Sequence, residues 1–392
     1  MVDLGAHLLA LVAPLRPGDA LIEGWILAGI STELGLRLSL APSDDPQRPS
    51  LHVELAPADA PGRHAVATER LRLSYRSPAA APVPPALGLR VCEAVAERVR
   101  ANEGPVLDAL AEAARARPPA RGPRIREVRV ERLLEPAGDR TTPFDTLSPY
   151  VGCLVGCRFC YAQSRLDPLR RLLGLPPAPW GSYVDVRINA AQVLRAELSG
   201  RPPRPIKLCP IVADPYQAVE RRYRLTRACL DVLVEASPQP PVLVLTRMAA
   251  LAEDLPRLSE LSRVFVGVSL PTVDDAVRRH FEPRAASVAE RLALLERVRA
   301  AGGHALAVVQ PLLPGPHEAL VDALAARADS VSIDVLRGEE GAGPLFDDPR
   351  YARARDDRWQ LERAQRLAED LRARGVAVWR GELPPELMEP CA

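Results

Sequence analysis

Lysine is almost missing from this chain: Lys207 stands alone among 51 basic residues, and the rest are arginine. With 41 prolines and abundant alanine this reads as a compositional bias, so arginine-for-lysine choices carry no functional weight by themselves. Net charge is missing too. The 51 basic and 50 acidic residues nearly cancel, leaving no global field to draw the chain to nucleic acid or an anionic membrane. No apolar run approaches the ~18 residues of a membrane span. The opening MVDLGAHLLALVAPL carries Asp3 and no basic stretch, so it does not read as a secretory signal. These absences point to a cytoplasmic chain that uses no membrane. What remains is ordinary globular material, 47% hydrophobic and 26% charged. Its 392 residues suit two or three domains at roughly 150 residues each.

The first 122 residues read as a small α+β domain. Leu36–Leu40, Leu51–Leu55 and Leu71–Tyr75 alternate apolar with polar, as strands with one wet face do. After the Pro/Ala stretch 77–86, Leu89–Arg100 and Val106–Ala116 read as two amphipathic helices. Residues 113–124 are a linker candidate. Residues 1–120 hold 14 acids and 12 arginines, and no catalytic motif is visible there.

Beyond residue 122 the pattern changes. Continuous apolar runs at 206–212, 242–245, 264–270, 305–313 and 331–336 alternate with helical patterns near 189–199, 219–236, 249–262, 286–301, 316–327 and 351–374. Strands that alternate with helices predict a parallel sheet buried on both faces, which explains the unbroken apolar runs. The expected fold class is α/β, a partial (βα)6-type TIM barrel over 123–345. A C-terminal helix and strand extension would follow over 346–392. Active sites of such barrels lie at the C-terminal ends of the strands.

Of the seven cysteines, three fall within eight residues, Cys153, Cys157 and Cys160. An odd count clustered in this way is not a disulfide framework and points to a metal in a reducing compartment. A short loop can turn three thiolates inward, and Gly152 and Gly156 permit the tight backbone. A structural zinc site wants four ligands, commonly as two pairs, so zinc here would have to borrow a distant histidine. A [4Fe–4S] cluster also takes four, usually thiolates. Three protein ligands would leave one iron open to a small molecule.

The spacing CxxxCxxC with aromatic Phe159 resembles the signature of the radical S-adenosylmethionine (radical SAM) superfamily. Further landmarks resemble its spore photoproduct lyase-like branch: SPYVGC (148–153), CYA (160–162), VRINAAQVLRAEL (186–198), ADPYQAVERRYRLTR (213–227), LTR (245–247), VGVSL (266–270), FEPRAAS (281–287) and RLALLERVRAAG (291–302). The resemblance covers roughly residues 140–335. It implies an enzyme in which Cys153, Cys157 and Cys160 hold a [4Fe–4S] cluster. S-adenosyl-L-methionine would be cleaved there to a 5′-deoxyadenosyl radical that takes a hydrogen atom from the substrate. It further implies that Asp214 meets the methionyl ammonium, Arg247 the methionyl carboxylate, Ser269 the ribose and Phe159 the adenine. Each has a plainer reading beside it: a turn former, a surface arginine, a strand serine, a core aromatic. Glu220, Arg187, Glu282 and Arg291 fall in matching segments and read equally well as structural ion pairs.

Two positions depart from the pattern. The hydrogen-donating cysteine of the lyase would fall at Ile211; Cys209 lies two residues earlier and is the alternative donor. A tyrosine of the family is Phe159 here, although Tyr161 is retained. An incomplete hydrogen-return chain argues for a substrate other than a DNA photoproduct: a peptide, a metabolite or a nucleoside. DNA lesion repair remains the alternative, since Arg221, Arg222 and Arg224 and the Arg278–Arg279 pair could meet phosphate. A non-catalytic metal-binding scaffold is the reading from another class. The implied partners are a flavodoxin- or ferredoxin-type electron donor and the substrate; nucleic acid is not favoured. The N-terminal domain is expected to recognise substrate, recruiting a peptide through a strand edge, and segment 163–182 with Trp180 is a lid candidate.

Overall fold

The computed structural model describes residues 4–32, 35–46, 50–59, 65–77, 82–115, 124–137, 143–172, 174–208, 212–336, 340–381 and 383–387. Most of the 113–124 linker candidate, and with it the join between the two domains, falls outside them. Among the described residues no helix is long and apolar enough to cross a membrane.

The N-terminal unit is a six-stranded antiparallel sheet backed by two helices. Helix α1 (Leu4–Leu11) precedes strands β1 (Ala20–Ile22), β2 (Trp25–Ser31), β3 (Arg37–Pro42), β4 (Leu51–Pro57), β5 (Ala65–Ala67) and β6 (Leu71–Arg76). They are ordered β1-β2-β3-β4-β6-β5. The three alternating runs are β3, β4 and β6. Leu38 pairs with Val53 and Leu55 with Leu73, placing one apolar face of the sheet against the helices. The two expected helices are a single helix, α2 (Pro85–Arg115), which continues through Pro105. A proline there costs about 3 kcal/mol in lost bonding and crowding. One buried stripe nonetheless runs through Val91, Val95, Val99, Glu103, Leu107 and Leu110. Glu103 lies in that stripe because it accepts from Thr68 Oγ1 (2.6 Å) and the Glu69 amide (3.1 Å), fastening the β5–β6 turn.

The barrel follows. Strand β7 (Arg124–Val128) is set aside in a small sheet, whereas β8 (Leu134–Ala137) runs antiparallel beside β9 (Phe144–Leu147) at one edge of the large sheet. Strand β10 (Tyr150–Val151) leads into the cysteine loop and α3 (Ala162–Leu172). The chain then forms β11 (Tyr183–Arg187), which pairs with β10 and β7, and helix α4 (Ala190–Leu198). From there strands and helices alternate: β12 (Ile206–Leu208), α5 (Glu220–Tyr223), α6 (Leu225–Glu235), β13 (Val242–Thr246), α7 (Leu255–Leu258), β14 (Val264–Ser269), α8 (Asp275–Phe281), α9 (Val288–Ala300), β15 (His304–Val309), α10 (His317–Arg327), β16 (Ser330–Ile333), α11 (Asp357–Ala373) and β17 (Ala377–Trp379). Strands β9, β12, β13, β14, β15, β16 and β17 are parallel neighbours in that order. The barrel is open and partial, as expected, with β17 extending the parallel run past the six anticipated repeats.

Both faces of this sheet are buried. Val242, Val244, Val266, Val268, Ala305, Ala307 and Val309 face the helices, whereas Leu243, Leu245, Phe265, Leu306 and Val308 fill the interior with Phe144 and Trp379. Gly267 leaves room for its neighbours, since a Cβ there would lie 2.6 Å from Leu306 Cδ1 and 2.9 Å from Leu245 Cδ1. Leu383 and Leu387, in a stretch without a sequence signal, pack into the same interior cluster.

Two helix expectations are broken up. The 219–236 pattern divides into α5 and α6 because Arg224 takes a left-handed conformation (φ 51°) between them. The 249–262 pattern is a 3-10 turn followed by the short α7. The lid candidate 163–182 is helical in its first part, as α3. That helix buries Ala162, Leu166 and Leu169 in the same apolar core as the N-terminal sheet. Glu54 on β4 accepts from Arg165 of α3 (3.2 Å) and also pairs with Arg37 and Arg76. The N-terminal unit is thus fastened to the first helix after the cysteines.

Candidate radical SAM site

The three cysteines lie on one loop at the C-terminal end of β9, where the barrel rule places chemistry. Gly152 (φ 84°) and Gly156 (φ 64°) occupy the left-handed region that favours glycine. Both are also close approaches: a Cβ on Gly152 would lie 2.7 Å from the Tyr183 ring, and one on Gly156 would overlap the Arg284 guanidinium. Backbone bonds seat the loop, with the Gly152 amide donating to the Val212 carbonyl (3.1 Å) and the Arg158 amide to that of Phe281 (2.9 Å).

Gln217 holds the segment around Cys153 from both sides. Its Oε1 accepts from the Leu154 amide (2.7 Å) and its Nε2 donates to the Gly152 carbonyl (3.1 Å). It is fully buried. Its role carries no sequence signal beyond its place directly after the Asp-Pro-Tyr turn.

Asp214 lies six residues past the end of β12, the second barrel strand, and is buried. Its amide donates to Cys153 Sγ at 3.4 Å. Oδ1 accepts from the Tyr216 amide (2.9 Å) and from Thr246 Oγ1 (2.6 Å), and Oδ2 accepts from the Arg247 amide (2.7 Å). Asp214 therefore forms a turn, as its plainer reading had it, and also ties the ends of β12 and β13 to the cysteine loop. Burial raises its pKa, against the pull of the Thr246 hydroxyl and the two backbone donors. A carboxylate offers about four lone-pair positions, so three bonds leave room for a further donor.

Arg247 follows Thr246 at the end of β13. Its guanidinium carbon lies 5.5 Å from the Phe159 ring centroid, and its Nη1 is 3.3 Å from Glu282 Oε1. That pair is close but not aligned, and both atoms are buried without a hydrogen-bond partner. The other oxygen of Glu282 accepts from Arg291 Nη2 at 2.8 Å, and Arg291 also donates to the carbonyls of Ser269 (2.8 Å) and Ala286 (2.9 Å). Cys157, Phe159, Arg247, Glu282, Arg291 and Ser269 thus form one connected neighbourhood.

Other sequence candidates lie in structural roles. Glu220 accepts from the Tyr150 hydroxyl and from the amides of Thr226 and Arg227 (both 3.1 Å), capping α6. Arg187 donates to the Ser148 carbonyl at 2.9 Å. Tyr161 is 45% exposed, directly after Cys160. Cys209 and Ile211 lie outside the described residues.

The donor set fits an iron–sulfur cluster. None of the five described cysteines is in a disulfide, and Cys92 and Cys229 lie in separate apolar cores away from the loop. Burial pushes the Cys153 and Cys157 thiols up to about 12, so thiolates there call for a cation beside them. Arg247, whose Nη1 makes no aligned hydrogen bond, and the spare acceptor capacity of Asp214 put a cation and an anion at one edge of the loop, suited to the carboxylate and ammonium of an amino acid.

Comparison with known proteins agrees with this chemistry. Residues 147–328 match the model of the radical SAM superfamily. An uncharacterised protein of Mycobacterium tuberculosis strain H37Rv is 35% identical over 178 residues, which are 43% of this chain and 49% of that protein. An uncharacterised protein of Methanocaldococcus jannaschii is 22% identical over 169 residues, 43% of this chain and 60% of that protein. The match thus spans about half the length of the curated relatives. Among solved structures, spore photoproduct lyase complexed with dinucleoside spore photoproduct aligns with TM-score 0.43 and 16% identity, over 60% of this chain and 76% of that one. A radical SAM methyltransferase from Sphaerobacter thermophilus aligns with TM-score 0.40 and 19% identity, over 63% and 68%. Radical SAM proteins are enzymes that use a [4Fe–4S] cluster and S-adenosylmethionine. Residues 147–328 of this chain thus form a radical SAM domain.

Proposed function

We propose that this chain generates a 5′-deoxyadenosyl radical and uses it to take a hydrogen atom from an organic substrate that is not duplex DNA. The observation that carries the reading is the junction of Asp214 with Cys153 on one side and with Thr246 and Arg247 on the other. When bound, the cluster supplies the electron that splits the sulfonium carbon–sulfur bond, and the residues here supply position. Cys153, Cys157 and Cys160 would hold three irons. The second oxygen of Asp214 would accept from the methionyl ammonium, and Arg247 would turn its unpartnered Nη1 to the carboxylate. Phe159 walls the site beside that guanidinium, and Arg291 fixes the end of β14 where Ser269 would meet the ribose.

The Arg278–Arg279 pair supports a non-nucleic substrate. Both residues pair with Asp275, so their charge is committed within the fold. Recruitment of a peptide by strand addition gains little support, because the edge strands β1 and β5 have three residues each. The N-terminal unit's shared core with α3 favours a fixed wall beside the site over a tethered recruiter.

Anaerobic reconstitution is expected to give about four irons per chain, the content of one [4Fe–4S] cluster. Dithionite with S-adenosylmethionine should then yield 5′-deoxyadenosine. Alanine at Cys153, Cys157 or Cys160 should abolish both. Iron-free protein holding tetrahedral zinc, or undiminished deoxyadenosine from a cysteine variant, would sink the reading.

A further inference from the structure

A row of side chains crosses the barrel interior at the C-terminal level of the sheet. Ser269 on β14 pairs in register with Val308 on β15, Val308 with Ser332 on β16, and Ser332 with Trp379 on β17. Residues in one register row share a face of the sheet. Val308 and Trp379 belong to the interior cluster, so Ser269 and Ser332 stand on the interior side as well. Two strand spacings put Ser332 roughly 10 Å from Ser269, where the ribose would be met. Gln310, two residues past Val308, joins the row: its Nε2 donates to Ser332 Oγ at 2.9 Å. Its backbone carbonyl accepts from Arg247 Nη2 at 3.5 Å, which ties the row to the residue proposed for the methionyl carboxylate.

Hydrogen bonding in this row is left incomplete. Trp379 is only 8% exposed, and its Nε1–H is buried without a hydrogen-bond partner. Ser332 is fully buried; its oxygen accepts from Gln310, while its proton goes to no acceptor among the described residues. Gln310 Oε1 likewise takes no donor among them. Glu386 Oε2 is a further buried acceptor without a partner, in the stretch whose Leu383 and Leu387 pack in the same cluster as Trp379. A buried donor left unmade costs stability, so it calls for a reason. The charges of the interior are directed elsewhere. Lys207 Nζ lies 5.9 Å from the ring of Phe144, at the start of β9, and Arg247 faces Glu282.

We propose that Gln310, Ser332 and Trp379 read the substrate and hold an uncharged amide group in the barrel, an inference that rests on the radical reading of the cysteine loop. An amide carries a carbonyl acceptor and an N–H donor in one plane. Trp379 Nε1 and the Ser332 hydroxyl would donate to the carbonyl, and Gln310 Oε1 would accept from the N–H. A carboxylate or phosphate would use the two donors but set its charge against the Gln310 oxygen, with no cation of the row to offset it. An ammonium would leave both donors without an acceptor. A site that hydrogen-bonds a given pattern rejects analogues that lack it far more strongly than an apolar pocket does. Peptide bonds and the cyclic amides of nucleobases share this chemistry.

The chain has four tryptophans, and the indole N–H signal lost in Trp379→Phe identifies that of Trp379 by nuclear magnetic resonance. The cluster-loaded chain with S-adenosylmethionine is titrated with N-acetylglycinamide and with uridine; acetate and ribose are the charged and hydroxyl-only counterparts. The Trp379 signal should move saturably with at least one amide and stay in place with acetate and ribose. Whichever amide binds tighter separates a peptide from a nucleobase source. Gln310→Leu and, separately, Ser332→Ala should weaken that binding about fivefold. The signal in the unmodified chain decides the matter even if a variant misfolds. A Trp379 signal unmoved by both amides, moved equally by acetate or ribose, or titrating with unchanged affinity in Gln310→Leu would overturn the proposal. Deoxyadenosine formation with dithionite reports separately on the radical reading: its absence beside an intact amide response would fault that reading and leave the amide site standing.

Discussion

The inside of the barrel and the rim at the C-terminal ends of its strands are both buried, yet different forces hold them. Inside, Phe144, Leu243, Leu245, Phe265, Leu306, Val308 and Trp379 meet Leu383 and Leu387 in an apolar fill. Such contacts are non-directional and tolerate small shifts. At the rim, Asp214, Gln217, Glu282 and Arg291 are as well hidden, but each is spent on oriented bonds to backbone or to a partner charge. Buried polar groups of this kind add little net stability and much positional definition. The barrel separates cohesion from placement: the interior keeps the sheet together, and the rim sets where the cysteine loop, Asp214 and Arg247 stand.

The largest expected effect that would break this comparison comes from Glu282. Replacing it by Leu leaves the Arg291 charge buried without its partner and should cost about 3–5 kcal/mol in denaturant unfolding. Replacing both, Glu282→Leu with Arg291→Met, should recover most of that stability while deoxyadenosine formation stays impaired. If the single variant lost less than about 1 kcal/mol, the rim pair would not be the buried charge pair described. Next, Leu306→Ala should cost about 2–4 kcal/mol through lost burial and a cavity. Iron bound per folded molecule should stay unchanged, and a parallel loss of iron would show that the interior also sets the site. Smaller still, Gln217→Leu should cost about 1–2 kcal/mol by leaving the Leu154 amide and the Gly152 carbonyl unpaired. Its iron retention during anaerobic dialysis should fall more than that of Leu306→Ala, sharpening the division between the two regions.

Legibility in the sequence follows the same division. Apolar periodicity is a repeated signal, so β3, β4 and β6 of the N-terminal sheet, β12 to β16 of the barrel and most barrel helices could be read from runs and spacing. The cysteine triad was readable because three thiols on one short loop seldom occur together without a metal to hold. Asp214 and Arg247 became visible through the family resemblance. Glu282 and Arg291 were legible as structural ion-pair residues, which they are; Gln217 and Thr246 were not legible, because a single polar residue looks alike whether it faces water or a buried carbonyl. Local exceptions were hidden for a related reason. Arg224 divides a helix by adopting a conformation that arginine rarely takes, whereas Pro105 fails to divide one because the buried stripe of α2 runs past it.

Leu383 and Leu387 have one further consequence. A ribosome adds them after every strand whose side chains they cover, so the growing chain carries an unstoppered barrel until that stretch emerges. The cysteine loop is made more than two hundred residues earlier. During synthesis the thiols are thus present well before the apolar lining is covered, and exposed apolar surface of that kind is prone to aggregate.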